Sequence, residues 1–505
     1  MNDGLSIARS DVLDLAAVLG IDDDPDTIDR IHAEVAGGLD GYERLTTSGA
    51  ARALTTERDV DVAFDPGPDT DPLNAFISQV DIPGADGPLS GLEIGIKDNI
   101  AVAGVPMTAG SAVFADAVPE GDATVVERLL RAGAEIVGKT NMDELAYGPT
   151  GETSTFGIAE NPAAPDRVPG GSSSGSGAAV AGGVVDAALG TDTGGSVRMP
   201  ASFCGLVGFK PTWGAISRHG VLDLAYTLDH VGTLTPDVRT TARLLDVLVG
   251  SDPRDHSTRG IDIASDSFVA SVDFPPDMAD LTLGVPAEFY GEHVADDVER
   301  VVRDQIDAIA AEGATVRDVS VPLVEDAVSV WNAIVNVEFA TVLEATETPL
   351  FRRGPVDAAW ASDAAGGIAA PDRSFGDVVQ QKAIEGKHLV RAFGGRHYVA
   401  ARNVCHELAG EFAAVLADCD ALVTPTMTTR AIKRGSWSPH TYSSTGANAA
   451  PPLAVNTRPA DLAGIPAVTV PAQADGLPVG VQFIAAEGDD DHVLGVAAAF
   501  ELFRD

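Results

Sequence analysis

The chain has 505 residues, of which 45% are hydrophobic, and its 75 acidic and 33 basic residues give a formal net charge of −42. This length and apolar content suffice for one large or two to three ordinary domains and exclude a disordered or fibrous protein. The acidic residues are spread along the whole chain, which is typical of proteins whose carboxylate surface is screened by high salt. The sequence therefore predicts a cytoplasmic protein of a halophilic organism, with an ordinary acidic enzyme as the alternative. The lack of a basic face argues against direct nucleic-acid binding.

The cysteines and the apolar segments agree with this compartment. Cys204, Cys405 and Cys419 are odd in number and far apart, so we expect buried thiols rather than disulfides or a metal site. The N-terminus lacks a basic start followed by an apolar stretch, and the most apolar region, 178–189, is short and interrupted by Asp186. Neither a secretory signal nor a membrane span is expected.

Residues 1–70 are predicted to form a small helical region and a linker. A helix capped by Ser10 is expected to end at Gly20, and a second helix begins near Pro25. The segment 64–72 is rich in proline and aspartate and predicts the linker. The apolar positions at helical spacing are Val12, Leu15, Leu19, Ile28, Ile31 and Val35.

In the remainder of the chain, 71–505, helices alternate with short apolar strands. A helix capped by Asp122 leads into a strand, and the same helix–glycine–strand order recurs over 297–321. Such alternation predicts an α/β fold with a central mixed β-sheet covered by helices on both faces. Residues 252–282 and 347–376 show no apolar periodicity and are expected to be loops or lids. The further predicted strands are 92–97, 421–423, 467–470 and 479–484.

One motif in the chain is misleading. Residues 133–140 match the phosphate-loop pattern G-x-x-x-x-G-K-T. A phosphate loop follows a strand and opens a helix, so that backbone N–H groups face the phosphate. Here a helix precedes the pattern, and Ile136 and Val137 are typical of a strand. We therefore expect no nucleotide site, and we expect Lys139 at the end of a strand.

The segment 193–196, Thr-Gly-Gly-Ser, predicts an oxyanion-binding turn, since glycines let consecutive N–H groups converge on one point. Ser196 is well placed to attack a carbonyl there, but a serine nucleophile needs a base. His219 is the nearest histidine in sequence and carries no signal that ties it to this turn. Lys97 ends an apolar strand in a lysine-poor chain, and burial would hold it neutral. A surface ion pair between Lys97 and Asp98 is an equally good interpretation from spacing alone.

Several motifs in the same order resemble those of the amidase signature family, and the resemblance extends over residues 73–500. Long motifs in the right order make this resemblance highly specific. The segments that carry it are 95–100, 132–134, 138–141, 169–173, 190–212, 462–467 and 476–482.

The resemblance implies an amidase-signature fold for residues 71–505 and hydrolysis of a carboxamide to a carboxylic acid and ammonia, without a metal or an organic cofactor. It assigns Ser196 as the nucleophile that forms an acyl-enzyme. Ser172 is implied to be the bridging serine, in a cis peptide with Gly171, and Lys97 the base. Ser174 stands where the family commonly has glycine, and we expect this departure to leave activity intact.

The resemblance also places the oxyanion donors at the backbone N–H groups of Thr193, Gly194 and Gly195. Two charged residues lie close to this turn in the sequence. Arg198 is expected to anchor the loop rather than bind a substrate carboxylate. Asp192 is expected to be a loop-holding hydrogen-bond acceptor rather than a catalytic acid.

Two functions within the family stay open. The sequence favours a free-standing amidase acting on a small-molecule amide, with a homodimer as one expectation and no nucleic-acid or membrane partner. Its N-terminal region and the segment 456–466 resemble those of free-standing amidases. The alternative is the glutamine-hydrolysing subunit of a tRNA-dependent amidotransferase, for which no arginine that binds the glutamine carboxylate is evident. A non-catalytic scaffold is disfavoured by the intact Lys97, Ser172 and Ser196.

The acyl pocket is expected to be formed by residues 220–230 and by parts of 330–450, where the resemblance is weakest. The large aromatic side chains of the second segment show no periodicity, so we expect them in the core. These residues are Trp331, Phe339, Trp360 and Trp437.

Overall fold

The computed structural model describes residues 6–46, 55–56, 58–261, 263, 267–344, 355–437 and 453–504. The chain divides into two compact units, Met1–Thr55 and Thr56–Asp505. Parts of four predicted segments lie outside the described residues: 1–5, 47–54 and 57 of the N-terminal region, 262 and 264–266 of the first predicted loop, 347–354 of the second, and 345–354 and 438–450 of the predicted pocket region.

The smaller unit contains two helices, α1 (Arg9–Leu19) and α2 (Pro25–Thr46). Helix α1 begins one residue before the predicted cap, because the Asp11 carboxylate accepts a hydrogen bond from the Ala8 N–H at 2.8 Å. It ends at Gly20, whose φ of 68° is the left-handed conformation that glycine adopts without strain. The buried residues are fewer than the apolar spacing predicts, since Leu15 and Leu19 are 56% and 70% exposed. The small core of this unit consists of Val12, Ala16 and Ile28.

The larger unit is built on a twelve-stranded mixed sheet in the order β1-β2-β4-β3-β5-β7-β6-β11-β12-β10-β8-β9. Strand β3 is parallel to both β4 and β5, and β8 is parallel to both β9 and β10, whereas the other neighbours are antiparallel. The strands are β1 (Ala63–Phe64), β2 (Phe76–Ile82), β3 (Glu93–Lys97), β4 (Glu135–Thr140), β5 (Ala187–Asp192), β6 (Val207–Lys210), β7 (His230–Thr235), β8 (Thr282–Pro286), β9 (Thr315–Val319), β10 (Ala421–Pro425), β11 (Ala467–Pro471) and β12 (Gly480–Ile484).

Both faces of this sheet are covered by apolar packing. Ala187 and Leu189 of β5 belong to the main hydrophobic core, whereas Ala188 between them belongs to a second core with Ala178 and Ala179. Successive side chains of a strand point to opposite faces, so the two cores lie on the two sides of the sheet. The predicted α/β fold with a mixed, helix-covered sheet is thus confirmed.

Twelve helices of the larger unit pack around the sheet within the described residues. Two of them contradict predicted loops. Helix α7 lies within 252–282, where the Ser267 hydroxyl accepts from the Ala270 N–H at 3.3 Å. Helix α10 lies within 347–376, where the Asp357 carboxylate accepts from the Trp360 N–H at 3.0 Å. The alanine-rich sequence that follows has high helix propensity but no clear apolar period. The helices are α3 (Thr124–Arg131), α4 (Ser174–Ala181), α5 (Arg198–Cys204), α6 (Val238–Leu248), α7 (Phe268–Asp273), α8 (Asp296–Ala311), α9 (Ala327–Glu344), α10 (Ala358–Ala369), α11 (Asp377–Phe393), α12 (Arg396–Leu416), α13 (Arg458–Ala463) and α14 (Asp490–Arg504).

The phosphate-loop pattern over 133–140 is a strand, as expected from its context. Most of it forms β4, and the Lys139 ammonium is buried in an ion pair with Asp98 at 2.9 Å. The three cysteines are free and buried, in agreement with the prediction. Within the described residues, no helix combines the length and apolarity required to cross a bilayer.

Candidate active site

The last residue of β3, the fourth strand in the order of the sheet, is a lysine. Because β4 and β5 flank β3 on both sides, the Lys97 side chain is fully buried. Its Nζ donates to Ser172 Oγ at 2.7 Å and to Thr191 Oγ1 at 2.8 Å. The alternative surface pair with Asp98 is wrong, since that carboxylate is buried and pairs with Lys139.

Burial changes the protonation of Lys97. Removal from water lowers the pKa of its amine to about 7, and the more distant carboxylates of Asp143, Asp192 and Asp229 only partly oppose this shift. A large fraction of Lys97 is therefore neutral at neutral pH. A neutral amine hydrogen-bonded to a serine hydroxyl is able to accept a proton from it.

Ser172 lies on the chain segment that leads into α4. The peptide bond between Gly171 and Ser172 is cis, as the resemblance implies. The N–H of the next residue, Ser173, donates to the Ser196 carbonyl at 3.3 Å, so this segment runs against the backbone of the predicted nucleophile. Ser174, the departure from the common glycine, is accommodated at the start of α4, where its hydroxyl is buried near the Asn141 carbonyl at 3.5 Å.

Steric crowding explains the two glycines of the 193–196 turn. A Cβ on Gly194 would lie 2.7 Å from Trp331 Nε1, and a Cβ on Gly195 would lie 2.2 Å from Thr457 Oγ1. The same two neighbours hold the turn through its carbonyl groups. Trp331 Nε1 donates to the Thr193 carbonyl at 2.8 Å, and Thr457 Oγ1 donates to the Gly194 carbonyl at 2.6 Å.

The Asp192 carboxylate fixes the other side of this turn. It accepts from the backbone N–H groups of Gly195 at 2.6 Å and Val197 at 3.0 Å, so Asp192 is a loop-holding acceptor, as predicted. The prediction of an oxyanion donor at Gly195 needs correction, because that N–H is already donated to Asp192. Of the three predicted donors, Thr193 and Gly194 remain.

Arg198 anchors the 193–196 turn through its ion pair with Asp192, which confirms its predicted structural role. Its fully buried guanidinium pairs with Asp192 at 3.0 Å and Asp461 at 2.7 Å, and it donates to Gln482 at 2.8 Å. Burial alone would raise the pKa of Asp192, but Arg198 holds that pKa well below its usual range. The carboxylate that organises the turn is therefore ionised throughout the neutral pH range.

A histidine near this turn was not identified from the sequence. His230, at the start of β7, faces the Asp192 carbonyl with Nδ1 at 3.2 Å and Lys210 Nζ with Nε2 at 3.3 Å. Burial and the neighbouring Lys210 hold its pKa well below the ordinary value. Both ring nitrogens are engaged away from Ser196, so the geometry does not make His230 the base for this serine.

Ser196 opens into a cavity with an empty volume of about 560 Å³. Trp331, Phe339 and Trp360 belong to the main hydrophobic core, as predicted, and Trp331 in addition lines the cavity. Trp437 lines the cavity and is only half-buried against the core. The lining residues are Ala146, Tyr147, Gly148, Pro149, Thr193, Gly194, Ser196, Met199, Leu224, Trp331, Val378, Lys382, Trp437, Ala454 and Arg458.

Among the described residues, no cluster of three or more histidine, cysteine, aspartate or glutamate side chains is arranged to hold a metal ion. The cavity is lined by Ser196 of the glycine-rich turn, and the buried Lys97 is hydrogen-bonded to a second serine, Ser172. Serine nucleophiles that use lysine as the base are a known variant of acyl-transfer sites.

A mixed α/β sheet that carries such a site is characteristic of hydrolases that act on acyl groups. The chain belongs to the amidase family, whose family model, described as Amidase, matches residues 76–494. It is therefore an enzyme that cleaves amide C–N bonds by hydrolysis.

Two curated relatives and one solved structure illustrate this membership. The A subunit of the glutamyl-tRNA(Gln) amidotransferase of Halobacterium salinarum is 43% identical over 435 residues, which cover 85% of this chain and 99% of the relative. The same subunit of Haloarcula marismortui is 40% identical over 431 residues, covering 84% and 99%. The crystal structure of this subunit from Thermotoga maritima is 33% identical, with a TM-score of 0.68 and coverage of 84% and 86%.

The expectation that the partner of this chain is only a small-molecule amide is wrong. The relatives are named as subunits of an amidotransferase that acts on glutamyl-tRNA(Gln), a name that specifies a multisubunit enzyme and a tRNA-linked substrate. The N-terminal region suggested a free-standing enzyme. However, the alignments cover nearly the whole length of these relatives, so the extra length of this chain is an addition to the shared part.

Proposed function

We propose that this chain is the glutamine-hydrolysing subunit of a tRNA-dependent amidotransferase. It releases ammonia from the side-chain carboxamide of glutamine, and partner subunits transfer that ammonia to a glutamyl group carried by tRNA in the cytoplasm. Identity of 40–43% to such subunits from two halophilic organisms, over 99% of their length, supports this assignment. The acidic composition of this chain agrees with the same salt-rich setting.

The observation that carries the proposed chemistry is the 2.7 Å hydrogen bond from Lys97 Nζ to Ser172 Oγ, in a site where the lysine pKa is about 7. In the first step, Ser196 Oγ attacks the carboxamide carbon. Its proton passes to Ser172 Oγ while the Ser172 proton passes to neutral Lys97. The protonated lysine then returns a proton through Ser172 to the departing nitrogen, and ammonia leaves.

Hydrolysis of the acyl-enzyme completes the proposed cycle. Water gives a proton through Ser172 to Lys97 and attacks the ester carbon on Ser196. The relay then returns that proton to Ser196 Oγ, and glutamate is released with the site restored. In both steps the developing oxyanion accepts hydrogen bonds from the Thr193 and Gly194 N–H groups, in a turn held by Trp331 and Thr457.

The proposed function is tested by reconstitution. The chain is combined with the other amidotransferase subunits of its own organism, glutamine and glutamyl-tRNA(Gln) in molar KCl, and the conversion of the tRNA-bound glutamyl group to glutaminyl is measured. We expect transfer from glutamine with the native chain. With Ser196→Ala we expect transfer only when ammonium chloride is supplied, because the mutation removes the ammonia source alone.

Two outcomes would contradict the proposal. One is glutamine hydrolysis with no transfer in the complete mixture, although ammonium chloride supports transfer by the partner subunits. The other is glutamine-dependent transfer that persists with Ser196→Ala.

A further inference from the structure

We propose that Asp229 and His230 are positioning residues, which together aim the backbone N–H of Thr193 at the oxyanion that forms on the substrate. This inference rests on the proposed function, because it concerns the acyl transfer to Ser196. The hydrogen bond of His230 to the peptide group that carries this N–H, the neutral state of its imidazole and the contact of Asp229 with the Thr193 side chain support it.

The beginning of β7 lies next to the nucleophile turn. Strands β5 and β7 are antiparallel, and their register places His230 opposite Asp192, the residue that precedes Thr193. His230 is the first residue of β7 and is 2% exposed, and Asp229 just before it is 4% exposed. The sheet thus brings two consecutive buried polar side chains to the turn.

His230 holds the peptide group between Asp192 and Thr193. Its Nδ1 lies 3.2 Å from the carbonyl oxygen of Asp192. This carbonyl and the N–H of Thr193 belong to one peptide group, and in a trans peptide they point in opposite directions. A donor that fixes the carbonyl therefore fixes the direction of the N–H. It also polarises the peptide group, which makes the N–H a stronger donor.

The surroundings of the imidazole define its tautomer and its charge. Lys210 Nζ lies 3.3 Å from His230 Nε2, and a lysine pKa of about 8 leaves most of this amine protonated at neutral pH. An ammonium only donates, so Nε2 accepts and the ring proton is on Nδ1. Burial, Lys210 and Arg218 hold the pKa of His230 well below its ordinary value, against the charge of Asp192. Asp461 Oδ1 is farther from Nδ1, at 3.6 Å. The neutral ring therefore donates to the Asp192 carbonyl.

Asp229 holds the side chain of the same threonine. The Thr193 hydroxyl donates to Asp229 Oδ1 at 2.6 Å. The carboxylate also accepts from the N–H groups of Leu224 at 3.0 Å and Ala225 at 3.1 Å. Leu224 lines the cavity together with Thr193 and Ser196. One carboxylate thus ties the oxyanion turn to a wall of the cavity.

The second oxyanion donor has a support of the same kind. Trp331 Nε1 donates to the Thr193 carbonyl, which shares a peptide group with the N–H of Gly194. The carbonyl on each peptide group that carries a remaining donor is therefore bound by a ring N–H, from His230 for Thr193 and from Trp331 for Gly194. This parallel assigns His230 to the geometry of the oxyanion site rather than to proton transfer.

The test measures how fast a fluorophosphonate labels Ser196, together with kcat and KM for glutamine, in molar KCl. At about pH 8 most of Lys97 is neutral and most of Asp229 is ionised. His230→Phe keeps an aromatic ring and removes its donor. We expect the labelling rate and kcat to fall about 10- to 100-fold, less than for loss of a whole oxyanion donor, with KM within about threefold of native. His230→Gln restores a donor and should recover most of the loss.

The pH profile separates positioning from an effect on the base. Replacing a neutral imidazole by a phenyl group leaves the charge around Lys97 unchanged. The plateau of the labelling rate should therefore fall while its inflection stays at about pH 7. As a matched control, His492→Phe changes a half-buried histidine of α14 and should leave the labelling rate, kcat and KM unchanged.

Thr193→Val tests the part of Asp229, because it removes the hydroxyl that this carboxylate holds. The labelling rate should again fall about tenfold. Since both contacts aim one N–H, the loss in the double variant with His230→Phe should be smaller than the product of the two single losses. Folding is checked by Tm in the same salt, and if His230→Phe does not fold, Thr193→Val alone decides.

Four results would overturn the inference. They are a labelling rate within about threefold of native in the folded variant that decides, a loss that His230→Gln does not recover, an inflection that moves with the loss, and losses that multiply in the double variant. Failure of the proposed function reads out differently. If the chain does not hydrolyse glutamine but the labelling rates of Ser196 follow the expected pattern, the assignment to an amidotransferase fails and this inference stands.

Discussion

The protonation of Lys97 allows a sharp test through Thr191→Val. Lowering a lysine pKa from 10.5 to about 7 corresponds to about 5 kcal/mol in favour of the neutral amine. At pH 7 about half of the Lys97 side chains are then neutral, against about one in 3,000 for a free lysine, a gain of about three orders of magnitude in available base.

The expected pH profile follows from this protonation. Below its pKa Lys97 is protonated and cannot accept a proton, so kcat/KM for glutamine should rise about tenfold per pH unit on the acid side and level off above about pH 7. A second group titrates in the same range, because burial and Asp223 raise the pKa of Asp229 to about 7. The native profile alone therefore does not identify the base.

Thr191→Val separates the two groups. The Thr191 hydroxyl accepts from Lys97 Nζ at 2.8 Å, whereas Asp229 accepts from a different hydroxyl, that of Thr193, at 2.6 Å. A hydrogen bond to a charged donor is worth about 1 kcal/mol more than one to a neutral donor, so its loss should move the inflection about 0.7 pH unit lower. The assay is ammonia release in about 2 M KCl, where surface charges are screened. An unmoved inflection, or one that moves upward, would refute Lys97 as the titrating base.

Three further predictions follow from the site and the surface. Lys97→Arg should lower kcat by about two to four orders of magnitude, because the base is lost. A fluorophosphonate should still label Ser196 in this variant, but more slowly than in the native chain, and a native kcat would contradict the prediction. Arg198→Met should cost about 3–5 kcal/mol in urea unfolding, since it leaves Asp192 and Asp461 buried without their cation. The exposed control Arg131→Met should change stability by less than about 0.5 kcal/mol, and equal effects of the two variants would refute the argument. Dilution from molar to about 0.1 M KCl should lower Tm, because repulsion among the groups that give a charge of −42 then acts over about 10 Å instead of about 3 Å. A constant Tm would contradict the halophilic interpretation.

The sequence predicted those parts of the site that depend on local pattern. The glycines of the 193–196 turn were recognised because glycine lets consecutive N–H groups converge on one point, and Lys97 because it ends an apolar strand in a lysine-poor chain. The sheet was predicted from alternation of apolar strands with helices. The first two signals lie within a few consecutive residues, and the third needs only the order of the elements along the chain.

The remaining parts depend on contacts between distant segments. Thr191 bonds Lys97 only because β3 and β5 are neighbours in the sheet, and Arg458 reaches the cavity only because it stacks on Trp331 of α9. Aromatic residues without periodicity gave no means of seeing that Trp331 lines the cavity as well as packing in the core, whereas Phe339 is core alone. For the choice between a free-standing amidase and a component of an amidotransferase, the N-terminal region and the segment 456–466 favoured the former, whereas similarity over nearly the whole length of the relatives favours the latter.

The central claim, that Ser196 becomes acylated by the donor amide, is tested most directly by trapping the intermediate. The native chain is mixed with glutamine, quenched in acid within the first turnover, digested and analysed by mass spectrometry. We predict a γ-glutamyl group on Ser196 that disappears as glutamate accumulates and that is absent from Ser196→Ala. Ammonia release with no adduct on Ser196, or with an adduct on another residue, would contradict the account.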